Sequence, residues 1–129
     1  MNIAKVLGRA LMAPIMIEGG LNQIKSAEYI GGAVENTASK YGVAGQLPAD
    51  GKTISKIAGT SMVASGIALG LGILPQPAAT VLAGQMVVTT LVGHAFWEHE
   101  GDERNTHKLQ AYKNLAIAGG LLYAASTKK

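Results

Sequence analysis

The most constraining feature of this chain is a run of 41 residues, Ile57 to Trp97, without a single Lys, Arg, Asp or Glu. One break interrupts it, Pro75-Gln76-Pro77. Proline lacks an N–H and disfavours helix in the residue before it, so the break reads as a turn. The uncharged stretch before the break has 18 residues and the one after it 20. A bilayer core of ~30 Å needs about 20 apolar helical residues. The direct reading is a membrane-spanning helical hairpin. The alternative, a buried hairpin in a soluble bundle, would place polar residues on one face every second or third position. Ile67-Ala68-Leu69-Gly70-Leu71-Gly72-Ile73-Leu74 has none.

Composition agrees. The 129 residues make one domain, and 15% of them are charged, against about 25% in ordinary soluble domains. The chain is too apolar for disorder. It has no Cys, which excludes a disulfide scaffold, thiol redox chemistry and Cys-ligated metal within the chain. The net charge of +3 is spread over scattered Lys and Arg. Nucleic-acid binding would want a basic stripe with interleaved aromatics, so no nucleic-acid partner is expected.

Two further segments are long enough to span. Ile3 to Ile24 carries Lys5 and Arg9 near one end and Glu18 inside. Its apolar run from Ala10 ends at Glu18 with no small-residue cleavage pattern, so it does not read as a signal peptide. Leu109 to Thr127 is apolar after Lys113 and Asn114, with Tyr123 and Lys128-Lys129 as far-side anchors. The fold expected is all-α, an integral membrane four-helix bundle with spans near 3–24, 53–74, 78–97 and 109–127. Between the first two spans, Ile30, Val34, Ala38 and Tyr41 recur at helical spacing. They predict a short interfacial helix in the first loop, which Gly31-Gly32 weaken. The second polar connection, EHEGDERNTHK from Glu98 to Lys108, reads as an aqueous loop.

Arg9 early in the first span, the later Gly19-Gly20, and the glycine-rich IALGLGIL of the second resemble the DoxX family. So does His94-Ala95-Phe96-Trp97, followed by an acidic stretch and Tyr112-Lys113-Asn114-Leu115-Ala116-Ile117-Ala118-Gly119-Gly120-Leu121-Leu122. The resemblance covers nearly the whole chain. It implies a four-helix protein, in bacteria usually of the inner membrane. It also implies a link to sulfur and oxidative-stress redox assemblies, among them the thiosulfate:quinone oxidoreductase subunits called DoxD. Related proteins often carry an acidic residue midway along the second helix. Here that stretch is Ser61-Met62-Val63-Ala64, so no carboxylate role carries over there.

A four-span hairpin topology puts both termini on one side and both polar connections on the other. The polar residues inside the spans lie toward the second side. Glu18 sits roughly 9 Å below that surface, His94 roughly 5 Å, and Lys113 and Asn114 roughly 6–8 Å. A polar pocket opening there is expected. A carboxylate at Glu18's depth costs ~2.5–3.5 kcal/mol on insertion scales unless paired, protonated or wetted. It is a candidate proton-handling group, or half of a structural ion pair with His94 or Lys113. His94 can donate to a quinone carbonyl or relay a proton with Glu18; it can equally cap a backbone carbonyl. Thr90, Trp97, Lys113 and Asn114 are the candidate ligand-binding residues. For Trp97 an interface anchor is the simpler role, and for Lys113 a snorkelling one. Asn114, an amide inside a span, must find a partner.

Gly59, Gly66 and Gly70 fall on one face of the second span and make a close-packing surface, within the bundle or between subunits of a homo-oligomer. His94 and His99 are five apart and off one helical face, and the acidic stretch matches no known ligand spacing, so no metal is expected. Basic residues are more numerous on the side of the connections. Those on the other side crowd the span ends, and with the resemblance they imply cytoplasmic termini.

Two functions fit these residues. One is a redox-linked membrane subunit that contacts quinone or docks redox proteins, using electrons from a partner or from quinol. The other is a non-catalytic accessory or scaffold subunit that holds a lipid or another small hydrophobic ligand within a larger membrane complex.

Overall fold

A computed structural model describes residues 2–94 and 96–127. Lys128 and Lys129, counted above among the anchoring charges, and Ala95 of the resembling block lie outside them. Among the described residues the fold is all-α. Its helices are α1 (Ile3–Lys25), α2 (Ala27–Lys40), α3 (Gly51–Leu71), α4 (Pro75–Gly93) and α5 (Gly101–Ser126). Single 3-10 turns occupy Ala44–Gln46 and Phe96–Glu98.

The helix starts follow local chemistry. The Asn2 side chain accepts from the Ala4 and Lys5 amides at 2.9 and 3.3 Å. The Asp50 carboxylate accepts from the Thr53 amide at 2.7 Å. Both satisfy donors that a helix leaves unpaired in its first turn. The α3–α4 turn is not where the prolines are. It is Gly72-Ile73-Leu74, with Gly72 at φ 74° capping α3 in the left-handed region. Pro75 and Pro77 lie in the first turn of α4, where the missing N–H breaks no helical hydrogen bond.

The helix expected in the first loop is α2, which follows α1 after Ser26 alone. The sequence 98–108 differs from its expected loop. Glu98 lies in the 3-10 turn, and from Gly101 onward the segment forms the first two turns of α5. Gly101 enters at φ 63°. Asp102 and Glu103 occupy the first turn, where negative charge opposes the helix macrodipole.

α1 packs along α3, α3 against α4, and α4 against α5, while α2 lies across α3. Glycine makes the α1–α3 seam close. A Cβ on Gly59 would stand 2.5 Å from the Gly20 carbonyl oxygen, and one on Gly70 would stand 2.9 Å from the Ala13 Cβ. One on Gly66 would meet Met16 and Ile17 at 3.1–3.4 Å. The three glycines therefore face α1 within the chain. The α2–α3 contact is closer still, with the backbones of Gly31 and Gly51 touching.

The core is built from Met16, Met62, Leu69, Ala79, Leu82, Met86 and Leu121. Many of the large aliphatic side chains are on the outside, among them Leu7, Leu11, Ile57, Leu71, Val87, Val88, Leu115 and Leu122. By length and composition one described helix, α3, is apolar enough to cross a membrane. α1 carries Lys5, Arg9, Glu18 and Lys25, α4 opens on Pro-Gln-Pro, and the first turns of α5 are charged.

Candidate functional site

Two cavities flank the core. One, of about 560 Å³, lies at the end that holds the termini, between Lys5, Arg9 and Met12 of α1 and Gly120 and Tyr123 of α5. Arg9 Nε is buried there and has no hydrogen-bond partner among the described residues. The second, of about 450 Å³, lies at the opposite end, among α1, α2, α3, α4 and α5. Its apolar wall includes Met16, Met62 and Met86. Its polar wall includes Gln23, Ser55, Thr89, His94, Lys113 and Asn114.

Buried polar groups around the second cavity tie the helices together. Ser55 Oγ donates to the Gln23 carbonyl at 2.7 Å, joining α3 to α1. Gln23 Nε2 donates to Thr89 Oγ1 at 3.3 Å, joining α1 to α4. Gln85 Nε2 donates to the Ala58 carbonyl at 2.9 Å, joining α4 to α3. Asn114 is 6% exposed and its side chain borders the cavity. A polar group or water in the cavity can hydrogen-bond that amide, a bond worth ~0.5–1.5 kcal/mol net.

Of the residues singled out in the sequence, His94, Lys113 and Asn114 come together at this cavity. Thr90 is buried, and its hydroxyl donates to the Met86 carbonyl one turn back at 2.7 Å, away from the cavity. Trp97 is half-exposed beyond the end of α4. Glu18 is exposed on the outer face of α1, among Leu11, Ile15 and Leu21, and lines neither cavity. Its depth along the helix was readable from sequence; the direction in which it points was not.

His94 lies just past the last residue of α4 as its cap. Its Nδ1 stands 3.1 Å from Nδ1 of His107. One ring donates and the other accepts, so the contact holds one shared proton. Burial, then the charges of His107 and Lys113, push His94 below the usual histidine range. This favours its neutral form. His107 in turn stacks on His99, ring centroids 4.2 Å apart and nearly parallel, and His99 Nδ1 pairs with Glu103 Oε1 at 3.2 Å.

His107, Gln23, Ser55 and Thr89 do not stand out in the sequence. For His107 a signal exists, Glu103-x-x-x-His107, one helical turn apart, but it has meaning only on a helix and the stretch has the composition of a loop. Gln23, Ser55 and Thr89 are small polar residues whose meeting depends on helix packing.

The protein-family model described as DoxX matches residues 4–95. The inner membrane protein YphA of Escherichia coli (strain K12) is 31% identical over 65 residues, which are 50% of this chain and 46% of that protein. The chain thus spans about half the length of this curated relative. No solved structure matches.

Proposed function

This chain belongs to the DoxX family, and on that premise we propose that it is a redox-linked bacterial inner-membrane protein that holds a quinone. Four observations support the membrane part. A relative bears the name inner membrane protein. Large aliphatic side chains cover the outside of the bundle, as lipid contact favours. Small residues line the α1–α3 seam. α1, α3, α4 and α5, of 23, 21, 19 and 26 residues, are each ~28–39 Å long, near the thickness of a bilayer core. In this reading those four helices span, α2 lies in the interface, and the termini are cytoplasmic.

The observation that carries the ligand reading is the second cavity, with donors on one wall and methionines on another. A quinone is an apolar ring with two carbonyl acceptors. The Asn114 amide at the cavity wall can donate to one of them, and His94 or Lys113 can donate to the oxygen that gains charge on reduction. Reduction takes two electrons and two protons: a docked redox protein supplies the electrons to bound quinone, or, in the other direction, accepts them from bound quinol.

The test is to purify the chain in mild detergent and identify what organic extraction releases. About one quinone per chain is expected from wild type, with a several-fold loss in Asn114→Leu. A lipid in its place, or equal recovery from the variant, removes the quinone role.

One observation favours the accessory-subunit reading as well. Glu18 stands on an exposed apolar face, where lipid would leave it unsolvated. A membrane partner that offers Glu18 a polar or basic group would remove that penalty. Glu18→Gln should then release co-purifying membrane proteins while leaving the ligand in place. Unchanged co-purification would end this role for Glu18.

A further inference from the structure

The chain has three histidines, and all three lie in one cluster where α4 hands over to α5. His94 caps α4, His99 follows the Phe96–Glu98 turn, and His107 lies on α5 one turn beyond Glu103. His99, Glu103 and His107 each offer a ligand atom, and these atoms all lie within 4.8 Å of one another.

We propose that His99, Glu103 and His107 form a binding site for a divalent first-row transition metal of zinc's type, with His94 fixing the orientation of His107.

The donor set selects this class of ion. Two imidazoles and one carboxylate suit zinc and its neighbours. Calcium takes six to eight oxygens and magnesium an octahedral oxygen shell, neither of which is present. Ion-to-ligand bonds of ~2.0–2.1 Å in a tetrahedron put neighbouring ligand atoms ~3.3 Å apart. His99 Nδ1 and Glu103 Oε1 already stand 3.2 Å apart. Glu103 and His107 are one turn apart on a single helix, so both face the same side. Glu103 is exposed, and His99 and His107 are only partly buried. The side chains of His99 and Glu103 have room to turn toward the held His107 ring, and doing so takes His99 out of its stack on that ring.

His94 acts from outside. Its 3.1 Å contact occupies Nδ1 of His107, which leaves Nε2 of that ring to bind the ion. Ligating histidines commonly have their other nitrogen held in this way. Lys113 faces His94 and repels a cation, whereas Glu100 and Asp102 on the segment carrying Glu103 attract one. Three protein ligands leave one position open to water or to a further ligand.

The experiment measures Zn²⁺ binding to the full chain, purified without a polyhistidine tag, by equilibrium dialysis and by the shift in melting temperature. One Zn²⁺ per wild-type chain is expected, undisturbed by excess Ca²⁺ or Mg²⁺, together with a raised melting temperature. His94→Gln should weaken binding by roughly 10–100-fold, as for other outer-shell partners. His99→Ala, Glu103→Gln and His107→Ala should each weaken it further. Co²⁺ bound to wild type should give the intense visible absorption of a four-coordinate site, a readout that needs no variant. Zn²⁺ binding unchanged in Glu103→Gln and His107→Ala, or wild-type binding only at millimolar Zn²⁺, overturns the proposal. The assay involves no quinone, so its result and that of the extraction experiment stand apart.

Discussion

At the scale of single residues, the consequences depend on which way a side chain faces. Asp50 is fully exposed, and its carboxylate accepts the Thr53 amide at the head of α3. Hydrogen bonds from the Thr53 hydroxyl and then its amide, assisted by Lys52 and Lys56, hold its carboxyl below the usual range. The folded pKa is thus lower than the unfolded value of about 3.9. The stabilisation is complete above the unfolded value and is lost as pH falls through the folded one. Asp50→Ala should lower the melting temperature at pH 7, and Asp50→Asn, which still caps, should lower it less. The gap between wild type and Asp50→Ala should close as the pH is taken below about 3.9; a gap that persists in acid would mean the carboxylate is not the stabilising form. Glu18 illustrates the reverse, a residue whose position along the helix was legible and whose direction was not. Its depth puts it toward the same end as His94, which suggests a pairing. Facing, however, is set by the glycines that turn one side of α1 toward α3.

At the scale of helices, small residues decide where backbones meet. Gly59→Ala would force a methyl group against the Gly20 carbonyl and should cost about 1–3 kcal/mol. Gly84 and Gly119 have open space where a Cβ would go, so alanine there should be neutral or stabilise by up to about 1 kcal/mol. Thermal unfolding of the three variants in one detergent checks this; equal loss at all three would refute the packing account. Much of this scale was readable in advance. α1 and α3 follow from apolar stretches long enough to span, α2 follows from the helical spacing of Ile30, Val34, Ala38 and Tyr41, and the small-residue face of α3 follows from Gly59, Gly66 and Gly70. Two features were not. Pro75 and Pro77 look alike whether they make a turn or open a helix, and the left-handed Gly72 and Leu74 settle which. The stretch EGDERNTHK has the composition of a loop, and its helical start became visible only with Gly101 as entry and acids in the first turn. The histidine cluster was missed with it, because Glu103 and His107 are neighbours only on a helix.

At the scale of the molecule, alanine, glycine and methionine make much of the interior beside Leu69, Leu82 and Leu121, and many of the large aliphatics are exposed. If four helices span, the connections after α2 and after α4 emerge together, opposite the termini. The chain has no cysteine, so single cysteines report cleanly. Gln46→Cys and Glu100→Cys should label from one side of sealed vesicles and Ser126→Cys from the other. Labelling of all three from the same side would rule out an even number of crossings with separated connections. One contact described earlier bears on traffic through the second cavity. Gly31 and Gly51 bring the backbones of α2 and α3 together without intervening side chains, and the Glu35 carboxylate accepts the Gly51 amide at 3.0 Å. α2 is thereby a fixed wall and not a door. If the four helices span as proposed, a guest reaches the methionines past the exposed Tyr29 and Val88 at the cavity rim, facing the bilayer, and not by displacement of α2. The guest's rate of entry would then follow its concentration in the lipid, which partitioning sets from its concentration in water.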